Sequence, residues 1–329
     1  MQYLRRIERT LAAGATADLR VANSRGDLVV IGEDRADVTL VAQIAVEARD
    51  EASGRERLDA VEIPVAAEGE HLVVGPPAYP ESDEHAHRFA RGFHDDGESF
   101  PFGGLRFGGT GIIAAVRRIV IDSDVRVDME LRVPRRCAVN ADLRAGTLRV
   151  SGVHAGVTAR SRSGRCEIAD IGGDVTLETH SGHATVHAIR GGVKVESRSG
   201  RIDISEVDGD LDVDVRSGRF DGRGVGGRAR VRGQSGMVRL ENARGPVEIS
   251  AESGAVEVRG PVVAPITIDV RAGSARIAVP ADARFYLDAE SRLGSVRSDL
   301  PVGEDERPPA DALTVRVRTE MGSIRIVPL

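Results

Sequence analysis

Glycine returns every nine residues through the middle of this 329-residue chain: Gly164, Gly173, Gly182, Gly191, Gly200, Gly209, Gly218, Gly227, Gly236, Gly245 and Gly254. Every second one follows a serine (Ser163, Ser181, Ser199, Ser217, Ser235 and Ser253), so the full repeat is 18 residues built from two halves. Counting from each glycine, the second and fourth positions are small or apolar, as in Cys166/Ile168, Val175/Leu177, Ala184/Val186, Val193/Val195, Ile202/Ile204, Leu211/Val213, Ala229/Val231, Val238/Leu240, Val247/Ile249 and Val256/Val258. Alternation of period two is the mark of a strand. Glycine suits the corner between strands because positive φ costs it nothing.

A nine-residue strand cannot bury its apolar row alone, so neighbouring repeats must stack. The pattern predicts an all-β fold, a two-sheet parallel β-solenoid (a right-handed, single-stranded β-helix) with 18-residue coils about 4.8 Å apart. A left-handed hexapeptide helix would beat in sixes. A calcium-binding β-roll needs Gly-Gly-x-Gly-x-Asp turns, which only Asp208-Gly209-Asp210 approaches, so neither cofactor nor metal is expected.

Less regular coils are expected over residues 17–47, with strands at Leu19–Val21, Leu28–Ile31 and Val38–Val46 and a turn at Asn23–Gly26. Residues 51–60 carry the one modest helical signal. Domain boundaries follow: residues 1–75 as N-terminal capping coils, 76–111 as a flexible loop, and 112–329 as the main solenoid with its C-terminal cap, in one continuous body. The loop holds Phe89, Phe93, Phe100, Phe102 and Phe107, an aromatic density unusual for a linker, and these are candidate partner-binding residues.

The runs Val139–Gly152, the Ser-Gly/Gly-Asp alternation and Ile277–Ala283 resemble the bacterial "putative adhesin" β-strand-repeat family, a domain of unknown function. The resemblance covers most of the chain outside residues 76–111. It implies a binding scaffold on a repetitive β frame and assigns no activity.

Composition narrows the function classes. Net charge is −6, tryptophan is absent and aromatics are 3%, which argues against a nucleic-acid binder. Lys194 is the only lysine, so the basic surface is made of arginine forks suited to carboxylates or phosphates. Two cysteines, Cys137 and Cys166, form no disulfide framework. Residues 1–13 lack the apolar core of a signal peptide and no 18-residue apolar run occurs, so a cytoplasmic protein without a membrane span is expected, with envelope association as the alternative.

The most organised polar feature flanks the Ser-Gly corners. Arg162, His180, Arg198 and Arg216 precede the serines; Arg165, His183, Arg201 and Arg219 follow the glycines. Stacking would form two basic columns spanning about 14 Å, with Ser181, Ser199 and Ser217 between them. Such a groove would suit an acidic polymer, and the two histidines would add charge on acidification. The competing reading is that arginines merely solvate corners where serine favours the turn.

His180, His183 and His187 are too far apart along strands to share one ion, and His85, His87, His94, Asp95 and Asp96 match no ligand spacing. Asp203 and Asp221, one repeat apart, are the only pair reminiscent of a polysaccharide-cleaving enzyme, and no aromatic platform accompanies them. The expectation is therefore a non-enzymatic binding module. Its partners would be an acidic polymer or a protein, with a cytoplasmic interaction scaffold as the alternative and end-to-end homo-oligomers through uncapped terminal strands.

Overall fold

The computed structural model describes residues 1–14, 16–76, 125–300 and 313–329. The described residues are all-β, 71% strand and 4% helix. It divides into two units, Met1–Gly146 and Thr147–Leu329. The five loop phenylalanines and the histidines at 85, 87 and 94 lie outside the described residues.

The first unit mixes strand directions. It holds β1 (Gln2–Ala12), β2 (Asp18–Arg25), β3 (Leu28–Glu33), β4 (Asp37–Glu47), α1 (Glu51–Ala60), β5 (Val65–Glu68), β6 (His71–Val74) and β7 (Val125–Pro134), and β8 (Ala138–Ser151) contains the boundary. β1 runs antiparallel to β4, β4 to β7 and β5 to β6, whereas β2 is parallel to β8 and β3 to β7. Helix α1 begins where the Asp50 carboxylate accepts the Ser53 amide at 2.9 Å. Gly54 lets it close on Tyr3, whose ring lies 2.4 Å from where a Cβ would stand. β1 was not legible as a strand.

The second unit continues with β9 (Val157–Ile171), β10 (Val175–Thr179), β11 (His183–Ile189), β12 (Val193–Ser197), β13 (Arg201–Val207), β14 (Leu211–Val225), β15 (Ala229–Glu241), β16 (Val247–Arg259), β17 (Ile266–Val279), β18 (Tyr286–Ser298) and β19 (Thr314–Pro328). All its pairings are parallel. From β9 to β16 the register steps by one 18-residue repeat, as in Val175↔Val193, Val195↔Val213 and Val213↔Val231. Inward rows are dry: Val195, Val213, Val231 and Leu240 are each 0% exposed, and Ile204 2%.

The expected two-sheet β-solenoid, or β-helix, is not the architecture found. Six parallel strands close into a barrel, with many further strands outside it. The physical reason lies partly at the corners. β14, β15 and β16 run unbroken through Ser217-Gly218, Ser235-Gly236 and Ser253-Gly254, and their ladders keep pairing across those residues. A glycine that bends the strand without ending it yields one curling sheet, where separate facing sheets were expected. Antiparallel pairs in the first unit depart further from a uniform coil.

The corner glycines do more than turn. Gly182, Gly200 and Gly218 have φ of +122°, +119° and +125°, and a Cβ on each would meet the carbonyl oxygen of the preceding corner glycine at 2.0–2.1 Å. Their spacing therefore records close backbone stacking as well as chirality. A second left-handed bend lies six residues on, at Asp170, Ala188, Glu206 and Asn242 (φ 53–57°), where no glycine marks it.

Candidate functional site

The corner residues of the second unit stack as the repeat requires. His183 pairs with Arg165 on one side and Arg201 on the other, and Arg201 with Arg219. The row before the serines is held by backbone bonds: the amides of His180 and Arg198 donate to the carbonyls of Ser161 and Thr179 at 3.1 Å. Each serine hydroxyl donates to the carbonyl of the residue before the preceding serine: Ser181 to Arg162 at 3.3 Å, Ser199 to His180 at 3.1 Å and Ser217 to Arg198 at 3.2 Å. The serine ladder thus fastens corner to corner.

The two basic rows differ in electrostatic state. The arginines after the glycines meet carboxylates two residues further along the strand, and His183 meets one on the neighbouring strand. Arg201 Nε donates to Asp203 at 2.9 Å, Arg219 Nε to Asp221 at 2.6 Å, and His183 Nε2 hydrogen-bonds Asp203 Oδ2 at 2.6 Å. Arg201 also reaches Asp221 at 3.5 Å, and Arg165 lies 3.8 Å from Glu167. Burial alone would raise the Asp203 carboxyl, but hydrogen bonds from Arg201 and His183, with the guanidinium charge, hold it below its ordinary value. The row before the serines is oriented otherwise: Arg162, Arg198 and Arg216 are exposed, and Arg162 and Arg216 form no ion pair among the described residues.

A pH prediction follows from Asp203. A carboxyl depressed in the folded state stabilises above its unfolded pKa, about 3.9, and that contribution is lost as pH falls through the folded value. Asp203→Asn should destabilise by about 1–2 kcal/mol at pH 7. In thermal melts across pH the gap to wild type should narrow as pH falls below the unfolded value and close once it passes the depressed folded one; an equal gap at both ends would contradict the network.

Past Arg216 the outer row changes sign, reading Gln234, Glu252, Arg271, Glu320 and Arg292 in register order. Here a groove of about 630 Å³ opens over Gly233, Ala251 and Val270. Arginines 232, 271, 292 and 318 line it together with acidic residues that include Glu252 and Glu290. The sequence reading missed this groove; its one signal was Gly233, which stands beside Val215 and Ala251 in the ladder and removes the floor's side chain.

The cysteines take no part. Cys137 and Cys166 are free and buried, and burial pushes both thiols up to about 12. Among the described residues no helix is long and apolar enough to cross a membrane.

No family model matches the chain, and no curated protein matches it. Solved structures align with it, two of which are as follows. One is a "putative cell adhesion protein" from Clostridium sporogenes, 11% identical, covering 99% of this chain and 100% of that one with a TM-score of 0.21. The other is a "putative adhesin" from Bacteroides fragilis, 13% identical, covering 99% and 97% with a TM-score of 0.30. Superpositions of that quality carry no argument about family or activity.

Proposed function

We propose that the second unit is a non-enzymatic, adhesin-like binding module that takes an extended anionic polymer along the row Arg162, His180, Arg198 and Arg216. The observation that carries this reading is the asymmetry between the two basic rows. One is neutralised by Asp203, Asp221 and Glu167, while the other presents Arg162 and Arg216 outward without an acidic partner. Exposed charge contacts are worth only about 0.2–1 kcal/mol each, so affinity must come from repetition along a polymer. The acids that enter the row at Glu252 and Glu320 confine the footprint to about three strand spacings, about 14 Å. Asp203 and Asp221, the pair a glycosidase would use, are instead engaged by Arg201, Arg219 and His183.

Calorimetric titration with polygalacturonate, and with neutral dextran as control, tests the reading. Binding to the acidic polymer alone is expected, fading by about 0.5 M salt, where the screening length is roughly 4 Å. No binding to polygalacturonate at low salt, or equal binding to dextran, would reject it.

A further inference from the structure

The chain's last strands are not laid down in sequence order. β19 pairs with β17 on one side and β18 on the other, so the C-terminal strand is inserted and β18 is left outside. Among the described residues β18 has one ladder, to β19, running the whole length from Tyr286 to Ser298. None of its residues is buried. On β19 the inward residues Val315, Val317 and Ile324 are 0–1% exposed, whereas Val296, the register partner of Ile324, is 42% exposed. The neighbouring corner positions, serine in most repeats, are Leu293 and Met321 here, 66% and 51% exposed and paired with each other. A 13-residue edge with an apolar row and no guarding proline or lysine invites another strand.

We propose that this edge docks a second copy of the chain, β18 against the partner's β18, antiparallel about a two-fold axis between Arg292 and Leu293. The strand's own sequence argues for this occupant. About that axis Ala289 lies opposite the partner's Val296, both inward-row residues, and Asp288 lies opposite the partner's Arg297. Leu293 sits beside the axis, next to its own copy. Arg297 is exposed and has no ion pair among the described residues, and the partner's Asp288, which accepts from Arg316 of its own chain at 2.8 Å, would take it as a second cation. Apolar therefore meets apolar and acid meets base twice, as an isologous interface requires. The corner at Gly294 divides the strand into two arms, and the two-fold lays each arm on the partner's other arm. This interface is independent of the anion-binding row.

Sedimentation velocity on the full chain tests the proposal: a reversible dimer should form as concentration rises toward about 100 μM. Leu293→Arg with Arg297→Asp, both at exposed positions, should raise the dissociation constant at least about 10-fold by placing like charges across the axis. Its thermal melt, taken at a concentration where wild type is monomeric, should match wild type.

Ala289→Cys/Val296→Cys reports the register. Directly opposed residues lie about 4.5–5.5 Å apart, within disulfide reach, so mild oxidation should give a covalent dimer. Leu287→Cys/Val296→Cys should give little, and the native thiols, pushed up to about 12 by burial, stay silent. A monomer at every concentration, whether the edge stays bare or another segment covers it, would overturn the proposal. So would equal cross-linking in the two cysteine variants, or a dimer indifferent to the charge changes.

Discussion

Gly200→Ala should destabilise the second unit by about 3–5 kcal/mol and lower its melting temperature by about 10 °C. Two costs combine. The residue sits at φ +119°, a conformation essentially reserved for glycine. Its Cβ would also stand 2.1 Å from the Gly182 carbonyl oxygen, which already accepts the Arg201 amide at 2.9 Å. That oxygen cannot retreat without breaking the ladder. Gly200→Val should be worse still, since branching adds bulk at the same contact. By contrast, Gly233→Ala should be mild, because the nearest atom to its Cβ is a Val238 methyl at 3.5 Å. A melt in which Gly200→Ala and Gly233→Ala behave alike would contradict the stacked-corner account.

The second large effect concerns the inward row. Val213 is 0% exposed and is flanked in the ladder by Val195 and Val231, also 0% exposed. Val213→Asp would bury a carboxylate with no basic partner in that row, at a cost of several kcal/mol, enough to prevent folding of the unit. Its neighbour Asp212 points the other way, 44% exposed with Arg232 at 3.6 Å, so Asp212→Ala should stay within about 0.5 kcal/mol. Chemical denaturation of the two variants ranks them directly. The reverse order would mean that inside and outside are assigned wrongly.

Much of this was readable before any coordinates. The apolar alternation after each glycine fixes which side chains are inward, and Val195, Ile204, Val213 and Leu240 are indeed buried. The 18-residue spacing fixes which corners meet. It does not fix how many sheets result, because a periodic glycine marks a bend equally well whether or not the hydrogen-bond ladder continues through it. One half-repeat hides its logic: Phe220 is fully buried beside Gly222, where a Cβ would strike the Phe220 ring at 2.7 Å and Leu240 at 3.0 Å. A large residue at the second position is accommodated by an empty fourth one, an exchange of volume that a hydrophobicity pattern does not register.

At the candidate site, residue types were legible and their electrostatic state was not. Arg201 and Asp203, like Arg219 and Asp221, stand two apart on one strand and so share a face. Reading the bases and acids as separate columns concealed that they neutralise each other. The insertion of β19 between β17 and β18 was also illegible, since the longer spacings after Gly254 announce longer connections and say nothing of strand order.

The most direct test of the functional account compares two triple variants in the polygalacturonate titration: Arg162→Ala/Arg198→Ala/Arg216→Ala, and Arg165→Ala/Arg201→Ala/Arg219→Ala. Each removes the same formal charge, so a difference between them reports position and not net attraction. The first should weaken binding at least about 10-fold, and the second by less than about 3-fold provided its circular dichroism stays native. Equal losses, or the greater loss in the second variant, would contradict the assignment of the polymer to the outer row.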